Sequence, residues 1–148
     1  MLLLHEVYMR KFVVTVFMSV LFLSACQSKA IDLSGEIVDV NGGSYSNINS
    51  QQLNTMLKNK DFVLVNVHVP FAGDIPNTDL SIPYNQIAES QYLAQLPIDK
   101  NSKIVLYCRS GRMSQIAAEE LVSQGYTNVW NLKDGMVEWE QAGYSLDQ

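Results

Sequence analysis

Apolar positions change period repeatedly along the 148-residue chain, and each change predicts an element. Phe62–Val67 and Ile104–Tyr107 are short runs rich in β-branched and aromatic residues, as expected of strands buried on both faces. A further strand is predicted over Asn128–Leu132, and Ile48 starts the first one. Between these runs the spacing turns helical. Leu53, Met56 and Leu57 share one face of a helix capped by Asn49 or Ser50 and running to about Asn59. Ile87–Leu96 predicts a short helix ended by Pro97. From Ser114, Met113, Ala117 and Leu121 form one stripe, with Ala118 and Val122 beside it. Ser114 is the expected N-cap, and Gly125 stands where a left-handed C-terminal residue belongs. A last helix is expected near Met136–Ala142, after a turn at Asp134-Gly135. Pro70–Pro83 reads as loop, broken by Gly73, Pro76 and Asn77.

Strands alternating with short helices predict an α/β fold, a doubly wound parallel sheet of about five strands with helices on both faces. In such sheets ligands bind beyond the carboxyl ends of the strands. That is where Cys108 falls, one residue past Ile104–Tyr107 and just before a helix. Cys108-Arg109-Ser110-Gly111-Arg112-Met113 is a short polar loop between strand and helix. A helix N-terminus presents unpaired N–H groups and favours an anion, and the thiolate is the reactive form of a cysteine. Gly111 lets successive amides curl into a nest, and Arg109 and Arg112 add positive charge. The competing reading is a buried cysteine acting as a small hydrophobe.

The N-terminal region has a different composition. From Met9, a credible alternative start, Arg10 and Lys11 precede the apolar run Phe12–Leu23 and then Ser24-Ala25-Cys26. A basic stretch, a short apolar core and small residues before a cut describe a secretory signal over residues 1–25. The run is short of the 17–25 residues a spanning helix needs. Leu23-Ser24-Ala25-Cys26 resembles the bacterial lipobox. That resemblance implies lipidation on Cys26 and an exported protein anchored at the cell envelope, periplasmic or on the outer surface. Residues 27–46, rich in Ser, Gly, Asn and Asp, are expected to be a tether with one short strand at most, ahead of a domain over 47–148.

Tyr107-Cys108-Arg109-Ser110-Gly111-Arg112-Met113-Ser114, with Gly125-Tyr126-Thr127-Asn128-Val129-Trp130-Asn131-Leu132 and Asp134-Gly135-Met136-Val137-Glu138-Trp139, resembles a single-domain rhodanese, a sulfurtransferase. The resemblance runs from about Tyr45 to the C-terminus. It implies that Cys108 takes a sulfane sulfur from thiosulfate or polysulfide, becoming a persulfide, and that a thiol, cyanide or another protein receives it. It also implies that loop residues Arg109, Ser110, Gly111, Arg112 and Met113 cradle the persulfide or the donor's anionic group. Three positions depart from the family pattern. Met113 replaces a frequent arginine, Asn66-Val67-His68 stands for D-V-R, and Gly73-Asp74-Ile75-Pro76-Asn77-Thr78 stands for G-H-I-P-G-A. These changes are expected on the far side of the pocket rim.

The rest narrows the chemistry. A formal charge of −5 argues against nucleic acid and against a polybasic membrane surface. His68 reads as a satisfied structural histidine, with a proton carrier as the other reading. The second histidine, His5, lies in the signal, and a lipidated Cys26 supplies no ligand, so neither a metal nor another cofactor is expected. Trp130, Trp139, Tyr126 and Tyr144 read as packing residues, and Glu119-Glu120 and Glu138/Glu140 as solvated helix faces. With Cys26 lipidated, Cys108 has no intramolecular partner, so a persulfide there must discharge to an external acceptor. Two other functions compete. A phosphatase or arsenate reductase on this scaffold would carry an arginine six residues after the cysteine, where this chain has Ser114. A membrane-tethered module would bind a partner or carry sulfur without turnover.

Overall fold

Ile104–Tyr107 (β5) is the middle of the sheet, and all four residues are buried. In the computed structural model, which describes residues 31–148, six strands lie in the order β1-β2-β6-β5-β3-β4. They are Glu36–Val40 (β1), Gly43–Ile48 (β2), Val63–Asn66 (β3), Leu80–Ser81 (β4), β5 and Val129–Leu132 (β6). Every neighbouring pair is parallel except β1 with β2. The helices are Ser50–Leu57 (α1), Ser90–Leu93 (α2), Arg112–Ser123 (α3) and Gly135–Gln141 (α4). The expected secretory signal over residues 1–25 and the expected lipidation site Cys26 lie outside the described residues. Among the described residues no helix is long and apolar enough to cross a membrane.

Strand alternation sends successive β5 side chains to opposite faces. Ile104 and Leu106 join Ala117, Leu121, Tyr126 and Ile82 in the core beneath α3. Val105 and Tyr107 face Leu53, Met136 and Trp139, in the core beneath α1 and α4. Helices therefore cover both faces, as the sequence predicts. Trp139 stacks on Tyr144 with ring centroids 4.5 Å apart, and its indole N–H donates to the Ser145 carbonyl. The expected packing role of these aromatics holds.

Two helix ends follow the local sequence closely. Asn49 caps α1 in a reciprocal box: its side chain accepts from the Gln52 N–H, and the Gln52 side chain accepts from the Asn49 N–H. At the end of α3, Gly125 (φ 86°) donates to the Val122 carbonyl and Tyr126 to the Leu121 carbonyl, the paired bonds of a Schellman turn.

Four expectations need correction. Residues 36–46, read as tether, are a hairpin built into the sheet. Gly42 (φ 94°) reverses the chain, Tyr45 and Ile48 reach the two cores, and β2 pairs with β6. The sheet thus has six strands and one antiparallel edge. Pro70–Pro83 contains the two-residue strand β4, whose Leu80 lies beside Val65. The helix expected over Ile87–Leu96 is regular only over Ser90–Leu93. Lastly, Glu138 is half-buried: its carboxylate accepts from the Ser50 N–H (3.0 Å) and hydroxyl (2.8 Å). It places an anion at the N-terminus of α1, where the helix dipole favours one.

Candidate active site

Cys108 follows β5 directly and is 1 % exposed. Its Sγ accepts the Gly111 N–H at 3.1 Å and lies 3.5 Å from the Ser114 hydroxyl. The Ser114 hydroxyl also donates to the Gly111 carbonyl at 3.0 Å. So Ser114 is not the N-cap: α3 begins at Arg112 behind Gly111, which is left-handed at φ 85°. That conformation aims the Gly111 amide at the sulfur and leaves Ser114 as the third helical residue, inside the pocket. With the Ser114 proton engaged by the Gly111 carbonyl, the Gly111 amide is the shorter donor contact on the sulfur.

The loop is fastened from the other side by α4. Met136 N–H donates to the Cys108 carbonyl (2.9 Å) and Val137 N–H to the Arg109 carbonyl (3.0 Å). Orphan donors at the start of α4, which no side chain caps, are thereby satisfied by loop carbonyls. Contact is so close that two glycines are obligatory. A Cβ on Gly111 would stand 1.7 Å from the Lys133 carbonyl oxygen, and one on Gly135 would stand 2.2 Å from the Cys108 carbonyl oxygen. The cysteine loop and the Lys133–Gly135 turn therefore interlock through missing side chains. The sequence marked Gly135 only as a turn residue, because its neighbour lies 27 residues away along the chain.

Arg109, Ser110 and Arg112 are exposed around the loop, and Met113 is half-buried against the core beneath α3. Neither arginine makes a salt bridge among the described residues. Cys108 is a free thiol there. The six positions named from sequence, Cys108–Met113, thus make one turn that carries two exposed arginines with no carboxylate partner among the described residues. Unpaired guanidinium groups of this kind are available to an anion.

The residues that break the family pattern are placed otherwise than expected. Asn66 is completely buried at the end of β3 and is not on a pocket rim. Its amide donates to the Gly73 carbonyl (3.1 Å) and to Asp74 Oδ1 (2.9 Å), while its Oδ1 accepts the His68 N–H (2.9 Å). The Tyr107 hydroxyl donates to Asp74 (2.9 Å), accepts from the Ile75 N–H (3.0 Å) and meets Thr78 Oγ1 (2.7 Å). Burial pushes ionisation of Tyr107 far up, so it stays a neutral donor. Two of the three departures, at 66 and at 73–78, are therefore one buried network. His68 is not a satisfied histidine: its Nδ1 is buried without a hydrogen-bond partner. Burial, and then the positive charge of Arg109, lower its pKa below the ordinary imidazole value.

This network supports a direct test. Asn66→Asp puts a second carboxylate 2.9 Å from Asp74 and removes the donor that joins them. We expect a loss of about 3 kcal/mol at pH 7, shrinking toward pH 4 as one of the two acids takes a proton and donates to the other. The sign follows from a folded-state pKa raised above the unfolded one, so stability falls as pH rises. Urea unfolding at both pH values measures it. The double change Asn66→Asp/Asp74→Asn should recover most of the loss; additive losses would mean that the two groups do not interact.

Comparison with known proteins identifies the family. A sulfurtransferase of Allochromatium vinosum is 33% identical over 103 residues, which are 67% of this chain and 92% of that protein. A tRNA uridine(34) hydroxylase of Buchnera aphidicola is 28% identical, and there the match is confined to 32% of its length. Among solved structures, a rhodanese-like domain protein of Staphylococcus aureus superposes with a TM-score of 0.55 at 26% identity, over 69% of this chain and 98% of that one. Residues 49–142 match the rhodanese-like domain family, and the chain belongs to it.

Proposed function

We propose that the protein moves a sulfane sulfur from thiosulfate or polysulfide, through a persulfide on Cys108, to a thiol, cyanide or protein acceptor. The observation that carries this is the Gly111 N–H on Cys108 Sγ, inside a loop bearing two unpaired arginines. The Cys108 thiolate attacks the outer sulfur of thiosulfate; the sulfur–sulfur bond breaks and sulfite leaves with its electron pair. An acceptor thiolate then attacks the outer sulfur of the persulfide, and Cys108 departs as thiolate. Loop amides stabilise the charge that resides on sulfur in both steps.

Intact-protein mass spectrometry after exposure to thiosulfate, and separately to polysulfide, tests the first half. We expect a gain of one sulfur atom, removed by added thiol or cyanide. No gain with any sulfane donor would overturn the reading.

The deep burial of Cys108 favours a second reading, a carrier or binding module that holds sulfur without turnover. It predicts normal persulfide formation but no discharge to small acceptors. For place of action we propose lipidation of Cys26 and anchoring at the bacterial cell envelope, supported by Leu23-Ser24-Ala25-Cys26 after an apolar run. Detergent phase partitioning checks this: the expressed protein should enter the detergent phase, and Cys26→Ala should move it to the aqueous phase.

A further inference from the structure

We propose that Ser114 is a catalytic residue for the delivery half of the reaction, a hydroxyl donor that turns onto Cys108 Sγ as this sulfur takes back the electron pair of the persulfide bond. The inference rests on the sulfur-transfer reading and deepens it by giving its second step a donor that the loop amides do not supply. Ser114 is fully buried and Cys108 nearly so. Among the described residues Sγ has two hydrogen-bond partners, the Gly111 N–H at 3.1 Å and the Ser114 hydroxyl at 3.5 Å. Arg109 and Arg112 belong to the same turn, but both are exposed.

The two partners of the sulfur differ in freedom. The amide is fixed by the left-handed Gly111 backbone, whereas a hydroxyl hydrogen rotates to suit its surroundings. Ser114 Oγ lies 3.0 Å from the Gly111 carbonyl oxygen and 3.5 Å from Sγ, and its single proton serves one of them at a time. Which acceptor takes it depends on the charge of the sulfur. A thiol, or the inner sulfur of a persulfide, is a weak acceptor, and the proton stays on the carbonyl. A thiolate is a charged acceptor, and hydrogen bonds to charged groups are roughly twice as strong as neutral ones. Turning the proton to the thiolate orphans nothing, because the Gly111 carbonyl keeps the Gln115 N–H at 3.0 Å. Ser114→Ala likewise leaves that carbonyl paired and removes only the donor to sulfur.

Charge on Sγ moves in opposite directions in the two steps. Loading starts from the thiolate, and negative charge leaves Sγ as its bond to the donor's outer sulfur forms. In delivery, an acceptor thiolate or cyanide bonds to the outer sulfur, the sulfur–sulfur bond breaks, and its electron pair stays on Sγ. No proton is transferred; that of Ser114 changes acceptor by rotation. A donor that strengthens as charge arrives lowers the barrier to delivery and gives loading no such help.

The test times both steps by intact mass on the purified protein. Uptake from thiosulfate or polysulfide is followed at pH 9, where thiols of ordinary acidity are largely ionised, and persulfide loss is followed with cyanide and with a small thiol. Ser114→Ala should slow delivery about tenfold or more, the effect of losing a hydrogen bond to a charged group. The slowing should be equal for both acceptors, because both expel the same sulfur. Uptake should stay within about threefold of the parent, and Ser114→Thr, which keeps the hydroxyl, should deliver within about threefold of it. Thermal unfolding checks that each variant is folded. Unchanged delivery in Ser114→Ala, equal slowing of uptake and delivery, or slowing toward one acceptor alone would overturn the inference while leaving sulfur transfer standing. So would a folded Ser114→Thr as slow as Ser114→Ala. A parent that takes up sulfur but yields it to neither acceptor overturns it as well, and favours the carrier reading. If the parent takes up sulfur from neither donor, sulfur transfer itself fails, and this inference falls with it.

Discussion

Cys108→Ser should take up no sulfur from thiosulfate or polysulfide, with loading below the detection limit of intact mass measurement. The hydroxyl that replaces the thiol does not ionise near neutral pH, and it forms no bond to a sulfane sulfur comparable to the disulfide-like bond of a persulfide. The change is otherwise mild. Serine can still accept the Gly111 N–H that now reaches Sγ at 3.1 Å, and the site loses only a small volume. Stability should fall by about 1 kcal/mol, so thermal unfolding should move by a few degrees while uptake vanishes. That split matters, since a variant that lost uptake by unfolding would say nothing about chemistry. Uptake that survived in Cys108→Ser would remove Cys108 from the reaction.

Gly111→Ala should be among the most destabilising single changes in the domain, and its mechanism can be separated from ordinary glycine effects. A Cβ there would lie 1.7 Å from the Lys133 carbonyl oxygen, which is backbone and cannot turn aside. The loop or the turn must move by more than an ångström, breaking the Gly111 N–H contact with the sulfur. Adding left-handed backbone strain to overpacking gives about 3–5 kcal/mol, together with loss of sulfur uptake. Gly125 supplies the control. Its φ of 86° matches the 85° of Gly111, but nothing lies within 4 Å of its would-be Cβ. Gly125→Ala should therefore cost only the backbone part, about 1–2 kcal/mol, and leave uptake intact. The difference between the two variants in urea measures the interlock of loop and turn. Equal losses would show that backbone strain alone accounts for both.

What the sequence made legible was local. The apolar run of β5, the stripe on α3, the Asn49 cap and the Gly125 stop each depend on residues within a turn or two, and each is found where the pattern puts it. So is the polar loop after Cys108. What it concealed was contact between distant segments. Ser44, Ser46 and Asn47 make β2 look like linker, because only Tyr45 and Ile48 reach the cores and the rest of its order comes from pairing with β6. Glu138 looks like a solvated helix position until Ser50, 88 residues earlier, is seen to donate to it. Ser114 has the composition of a cap, but Gly111 takes that place and starts the helix three residues sooner. Asn66 and Asp74 looked like two separate departures from the family pattern, yet they bond to each other. Single-position comparison cannot reveal such an exchange between partners.

The order of the strands also bears on how the chain is made. The first long-range neighbour of β2 is β6, with Asn47 accepting a hydrogen bond from Asn131, 84 residues further on. During synthesis the hairpin at the beginning can form early, but its inner edge stays open until almost the whole domain has emerged. β5 likewise waits for β6 to cover its free side. Closing such separations is slow, and it cannot start before the last strand exists. A ribosome-bound chain therefore carries an unfinished sheet with open strand edges, prone to wrong pairing.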